Sequence, residues 1–266
     1  MLEDPIRYWQ SMTTLEAQDL SERDPVVILP LAAIEQHGPH LPLSTDLEIG
    51  MGLLTSAFRH LPKDFPAWVL PPQAVGCSRE HLRFPGTLSV DPDLLSRVIH
   101  QSGVAVARCG ARRLVLSNSH GGNRQALDAA GIRLREEQQL LVVKVNYFDL
   151  PCPDDVELPD SEWRHGLHGG TVETAMMLHL RPDLVRTAQA QNTRSLGEEL
   201  EGTLRHLSPE GAVSFAWLAN DLNRSGVTGH ARQADAVTGE RLVTHYGKAL
   251  ADVIRDTKAF PLERLV

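Results

Sequence analysis

The apolar positions of this chain fall into short unbroken runs separated by amphipathic stretches. Residues 26–34 (VVILPLAAI) have the composition of a buried strand, and 112–118 (RRLVLSN) and 140–148 (LLVVKVNYF) read as further strands. Residues 67–75 (AWVLPPQAV) read as an extended segment interrupted by prolines. Helical spacing fills 47–60 and 123–138, the latter with Leu127, Ala130 and Leu134 on its apolar side. Another helix begins at Asp91-Pro92, with Asp as N-cap and Pro at the first helical position, and is expected to reach about Cys109 and stop at Gly110. Gly169 and Gly170 open a helix to about Leu180, with Val172, Ala175, Met176 and Leu178 apolar. Residues 234–254 predict a closing amphipathic helix through Leu242, Val243, Tyr246, Leu250, Val253 and Ile254. Residues 151–166 read as a polar connection, and 189–209 show no clear period.

Strands alternating with helices imply right-handed crossovers. The expected fold is α/β, a three-layer α/β/α sandwich with a mostly parallel central sheet. No repeat or linker divides the chain, so residues 1–266 are read as a single domain.

Charge and composition narrow the function. A net charge of −8, with His neutral, disfavours nucleic acid or an anionic membrane as partner. No apolar run approaches the roughly 18 residues of a transmembrane helix, and the acidic MLEDPIRYWQ start lacks a signal-peptide core. Three widely spaced cysteines (Cys77, Cys109, Cys152) without a CxxC pair suit reduced thiols, Cys77 and Cys109 as small core fillers, and a cytoplasmic location. Several of the twelve histidines lie in Gly-rich segments rather than on helix faces.

Those histidines carry the chemistry. Directly after the first strand comes EQHGPHLPLSTD, residues 35–46. Glu35 and His37 are two apart, so in an extended path both emerge on one face. Asp46 returns after a turn-rich detour, with two oxygens to share. His120 follows the RRLVLSN strand inside SHGGN, so potential ligands reach the carboxyl edge of one sheet from two strands. HGGTVET supplies His168 and, on the first turns of a helix, Glu173. Mixed imidazole and carboxylate donors suit zinc, manganese or iron. Each residue alone also reads as an ordinary polar loop residue; the convergence favours a two-metal site. SHGGN lacks both the GxGxxG spacing and the lysine of phosphate loops, and the GxSxG elbow is missing. A nucleotide-binding Rossmann protein would need a Gly-rich loop where EQHGPH stands.

The 30–46 segment, EHLRFPGT at 80–87, SHGGN at 119–123, HGGTVET at 168–174 and GVTGHARQADAVTGERL at 226–242 together resemble the creatininase (creatinine amidohydrolase) family. The resemblance runs from about residue 7 to 255, with the motifs in family order. It implies that Glu35, Asp46 and His120 hold one metal, and that His37 and a bridging Asp46 hold the second. Creatininases complete the second site with a glutamate two residues after the histidine of the His120 motif. This chain has Gly122 there, which matches an HGGN-type branch with formamide-cleaving and peptide-processing members, and Glu173 is the natural replacement ligand.

The resemblance further implies two divalent ions per subunit, zinc foremost, with manganese or iron as alternatives. Three carboxylates and a bridging hydroxide would neutralise them, and the hydroxide would attack an amide carbonyl. His168 would protonate the departing nitrogen, with Glu173 the second residue placed at the reacting centre. Ser78, Glu80 and His81 read as site-wall or subunit-contact residues, with Ser78 and Glu80 against substrate. Trp163 stands where a creatininase tryptophan would face substrate. His40 reads as a hydrogen-bond partner behind the ligands, and His230 as structural.

The expected activity is hydrolysis of a non-peptide C–N bond in a small polar substrate, a cyclic amide or formamide. Creatinine itself, a formamide deformylase acting on a nucleotide-derived compound, and a peptidase that trims a precursor peptide are the rivals among enzymes. A non-catalytic metal-binding assembly module is the rival of another class. The family also implies a homo-oligomer, a hexamer.

Overall fold

The computed structural model describes residues 4–265. Four strands form one parallel sheet: β1 (Val26–Leu31), β2 (Ala67–Val69), β3 (Arg113–Asn118) and β4 (Leu141–Asn146), in the order β2-β1-β3-β4. Pairing runs from Val26↔Arg113 to Leu31↔Asn118 between β1 and β3, and from Arg113↔Leu141 to Asn118↔Asn146 between β3 and β4. A two-residue antiparallel pair joins β5 (Asn192–Thr193) and β6 (Gly229–His230). The helices are α1 (Thr14–Gln18), α2 (Thr45–His60), α3 (Pro92–Arg108), α4 (Arg124–Gln138), α5 (Asp160–His165), α6 (Thr171–Leu180), α7 (Leu196–Leu200), α8 (Ala219–Leu222) and α9 (Ala236–Ala259).

Alternation along β1 builds two cores. Val27, Leu29 and Leu31 face a layer made by Leu95, Ile99 and Val106 of α3 with Ala126, Leu127, Ala130 and Leu134 of α4. Val26 and Ile28 face the opposite layer, made by Ile49, Leu53 and Leu54 of α2, Ala175, Met176 and Met177 of α6, and Leu242, Tyr246, Leu250 and Ile254 of α9. With both faces covered, every residue of β1 is buried, which is why its sequence is continuously apolar. Burying one such Leu or Ile fully contributes about 1.5–3 kcal/mol. Pro30 sits in this central strand without breaking it. Its missing N–H falls on the β2 side, beyond Ile28↔Val69, the last pair of that ladder.

The helix signals act locally. Asp91 accepts the Asp93 N–H, with Pro92 at the first helical position, and α3 ends at the expected place. Asp235 accepts from Val237 and Thr238 to start α9. In α9, Gly239 allows a close crossing, since a Cβ there would stand 1.9 Å from the Ala175 carbonyl oxygen of α6. The 151–166 segment differs from expectation. It contains α5, a helix too short to show a period. Among the described residues no helix is long and apolar enough to cross a membrane.

Candidate metal centre

Strand order places the site. The crossover after β1 runs through α2 on one face of the sheet, and the crossover after β3 runs through α4 on the other. Between the carboxyl ends of β1 and β3 the chain therefore diverges to opposite sides and leaves a crevice. The loop after β1 brings Glu35 and His37 there, and the end of β3 brings His120. Asp46 arrives on the first turn of α2 and Glu173 on the first turn of α6. All five are buried except Glu173, which is partly open.

Asp46 faces two ways. Its Oδ1 lies 3.3 Å from His37 Nε2 and its Oδ2 lies 3.5 Å from His120 Nδ1. On the His37 side, Glu173 Oε1 is 3.9 Å from Nε2, while its Oε2 accepts the Gly169 N–H at 2.6 Å. On the His120 side, Glu35 Oε1 is 3.3 Å from Nδ1. Donor atoms of His37, Asp46 and Glu173 lie within 4.8 Å of one another; so do those of Glu35, Glu80 and His120, and those of Glu35, His37 and His168.

Backbone carbonyls fix the rings, because a carbonyl can only accept. His37 Nδ1–H donates to Glu35 O at 3.1 Å, which leaves Nε2 bare toward Asp46 and Glu173. His120 Nε2–H donates to Cys77 O at 2.8 Å, which leaves Nδ1 bare toward Glu35 and Asp46. His168 Nε2–H donates to Gln36 O at 2.5 Å, which turns its Nδ1 toward Glu35 at 3.7 Å. The Gln36 side chain is committed on every side. Its Oε1 accepts the Gly38 N–H, and its Nε2 donates to Gly226 O and to His81 Nδ1, each at 2.9 Å. His81 therefore carries its proton on Nε2, which faces Glu35 Oε1 at 3.4 Å. The His168 ring stacks between His37 and His81, with centroids 4.1 and 4.2 Å away.

The electrostatics are those of a site built for cations. Burial opposes charge on His37, but Asp46, Glu173 and Glu35 outweigh it and raise the ring to about 9. His120 is likewise raised to about 10 against its burial, by Glu35, Asp46 and Glu80. Burial lifts Glu173 to about 7, with Asp46 and Glu35 adding to it and His37 opposing. Burial would also raise Glu35, yet His120, His81 and His168 together hold it well below the usual carboxylate range. Burial and the neighbouring His37 and His81 keep His168 neutral. Protons on His37 and His120 thus stand where metal charge would stand.

The buried atoms fit such ions. Both Glu35 oxygens, His37 Nε2 and Asp46 Oδ2 are enclosed without a hydrogen-bond partner. Orphaned polar atoms are costly, and their convergence on one crevice makes these groups a candidate metal-ligand set. The carbonyl bonds behind His37 and His120 supply the outer-shell orientation that ligating histidines need.

Other residues fall into place around this cluster. His40 donates to or accepts from Thr174 Oγ1 through Nε2 at 2.9 Å, behind the ligands, and burial with His37 lowers it to about 4. Ser78 is fully buried, with Oγ 3.4 Å from His120 Nε2. Trp163 sits half-buried on α5 and packs against the α2–α6–α9 layer. His230 is tied to Glu162, a buried carboxylate that sequence reasoning passed over. Glu162 accepts the Thr171 N–H at 2.6 Å, and the His230 N–H and Nδ1–H at 2.8 and 2.9 Å. It thereby pins the N-terminus of α6, the helix carrying Glu173. His81, expected at the site wall or a subunit contact, faces Glu35, and its signal is the EHLRFPGT segment itself.

Known proteins are similar to this chain in sequence and fold. Residues 10–254 match the family described as creatininase, creatinine amidohydrolase. The mycofactocin precursor peptide peptidase of Mycolicibacterium smegmatis is 31% identical over 254 residues, covering 94% of this chain and 92% of that protein. Creatinine amidohydrolase of Pseudomonas putida is 33% identical over 177 residues, covering 61% of this chain and 66% of its own. The solved manganese creatininase superimposes with a TM-score of 0.74 at 26% identity, covering 94% of this chain and 98% of that one. The family-wide match over nearly the whole chain, on a fold that superimposes with it, makes this protein a hydrolase of C–N bonds and a member of the creatininase family.

Proposed function

We propose that the protein is a dinuclear metal-dependent amidohydrolase that cleaves a non-peptide C–N bond, a cyclic amide or formamide, in a small polar substrate. The observation that carries this reading is the division of the two Asp46 oxygens between His37 and His120. His37 Nε2, Asp46 and Glu173 would hold one ion; Glu35, His120 Nδ1 and Asp46 would hold the other. Zinc is the first expectation, with manganese or iron as alternatives. When bound, the pair would supply an activated water as nucleophile at neutral pH and a Lewis acid for the substrate carbonyl.

The chain's own groups handle the proton. Hydrolysis puts the water oxygen on the acyl carbon and the water proton on the leaving nitrogen. His168 suits this transfer: its Nε2–H is held by Gln36 O, and its bare Nδ1 points into the cluster. Nδ1 takes the proton and returns it to the departing nitrogen. Ser78 and Glu80 would border the substrate, and Trp163 is the proposed aromatic contact. We further propose a homo-oligomer, a hexamer by family likeness, in the cytoplasm.

A second reading, hydrolysis of a peptide bond, is favoured by the relatives named mycofactocin precursor peptide peptidase, which match over 83–92% of their own length. Cyclic amides, formamides and short peptides, each tested with Zn, Mn and Fe, decide between them. Turnover of peptides alone would replace the first reading with the second. Metal content near two ions per chain without any turnover would favour a metal-binding assembly module.

A further inference from the structure

Gly122 has a backbone carbonyl where a side chain would begin. A Cβ at this position would stand 2.1 Å from Cys77 O, 2.6 Å from His120 Nε2 and 2.7 Å from Glu80 Oε1. The first of these cannot yield cheaply, because Cys77 is held from both sides. Its carbonyl accepts His120 Nε2–H at 2.8 Å, and its N–H donates to Asn123 Oδ1 at 2.9 Å. Moving Cys77 would release the ring of His120. Position 122 is therefore closed to any side chain, and the carboxylate that occupies the space in front of it belongs to Glu80.

We propose that Glu80 is a metal-holding carboxylate on the His120 side of the centre, standing in the space that residue 122, without a side chain, leaves open. The inference rests on the dinuclear reading above and adds a ligand to it. A donor atom of Glu80 lies within 4.8 Å of donors of Glu35 and His120, and its Oε1 lies beside the edge of the His120 ring, 3.5 Å from the Nε2 that donates to Cys77 O. The residue is carried by a short 3-10 turn, Arg79–His81, whose other end puts His81 against Glu35. One turn thus delivers two groups to the same side of the cluster.

Charge counting supports the assignment. Glu35, Asp46 and Glu173 bring three negative charges, one fewer than two divalent ions need if the nucleophile enters as neutral water. Glu80 brings the fourth. The centre would then balance before the water gives up its proton, rather than only afterwards.

The test is metal binding, read without turnover. Wild-type protein, Glu80→Gln and His37→Ala are stripped, reloaded with Co(II) or Zn(II) and measured by elemental analysis, competitive chelator titration and the visible Co(II) spectrum. Glu80→Gln keeps the side-chain shape, so folding is preserved and can be checked by circular dichroism. Its expected behaviour is a loss of affinity of about ten-fold or more at one of two ions, with an altered Co(II) spectrum. His37→Ala should weaken the other ion, and Glu80→Gln/His37→Ala should lose both. Glu80→Gln with wild-type affinities and an unchanged spectrum would overturn the proposal. Recovery of metal by Glu80→Gln/Gly122→Glu would overturn the claim that position 122 is closed. A wild-type protein that binds one ion or none would instead defeat the dinuclear reading on which the inference rests.

Discussion

The carboxylate of Glu162 receives the backbone N–H of Thr171, the first residue of α6, at 2.6 Å. A helix start normally borrows an acceptor from the residue just before it. Here that residue is Gly170, which has none, and the acceptor comes from a different helix. Because Glu162 also binds His230 through two atoms, it couples α5, α6 and β6 at one buried point. Glu162→Ala leaves the buried Thr171 N–H and two partly buried His230 donors without this acceptor. The expected cost is about 1–3 kcal/mol, the range for a buried donor left unsatisfied. Urea unfolding checks it, and metal content should fall with stability because Glu173 rides on the same helix.

Asp46→Asn should disturb both ions, whereas His120→Ala should weaken chiefly one. An amide keeps one oxygen acceptor but replaces the other with a donor, so it cannot serve His37 and His120 sides alike. Elemental analysis after gel filtration reads the difference. Full metal content in Asp46→Asn would remove Asp46 from its bridging role.

The pH dependence of the metal-free protein has a defined sign. His37 and His120 are raised in the fold to about 9 and about 10, from an ordinary value of about 6.5. Glu173 is raised to about 7. A raised group contributes stability below its unfolded value and loses it as pH climbs through its folded value. The Glu173 share is therefore lost below about pH 7, and loss of the His37 and His120 shares should make chelated protein melt at progressively lower temperature from about pH 7 to pH 10. Metal-loaded protein should vary far less across that window, because ions have replaced those protons. Thermal scans of both forms provide the check. A chelated protein equally stable at pH 7 and pH 10 would contradict this account.

Gly239→Ala should destabilise the fold where α9 crosses α6. Its Cβ would meet the Ala175 carbonyl oxygen at 1.9 Å, so α9 and α6 would have to separate. Overpacking of this kind costs about 1–3 kcal/mol. The expected pattern is a lower melting temperature, with metal retention falling alongside it because Ala175 and Glu173 share α6.

Much of this fold is written locally. Strands β1 and β3 read as apolar runs because both sheet faces are covered there, α3 was marked by Asp91 acting within two residues, and α9 by its apolar spacing. The ligand loops were legible for the same reason: Glu35, His37 and His120 stand at or within six residues of a strand end. What the chain hides is contact over long separation. Gln36 reaches His81 across 45 residues and Gly226 across 190, and no periodicity announces either. Glu162 lies on a six-residue helix with no room for a pattern. Glu80 was visible as a segment but not as a member of the cluster, since its place depends on the carbonyl of Cys77 and the absence of a side chain at 122.

The saturation of the Gln36 amide makes the centre vulnerable to chemical ageing of a residue that is not a ligand. Deamidation exchanges one NH2 for an oxygen and adds a negative charge. The new oxygen would confront the Gly226 carbonyl and the lone pair of His81 Nδ1, where two hydrogen bonds had been. His81 would have to move its proton to Nδ1, and Nε2, emptied of hydrogen, would then face the Glu35 carboxylate as a second lone pair. Damage at a single amide would thus reach the metal side of the crevice as a reversal of ring polarity, with every ligand still in the sequence.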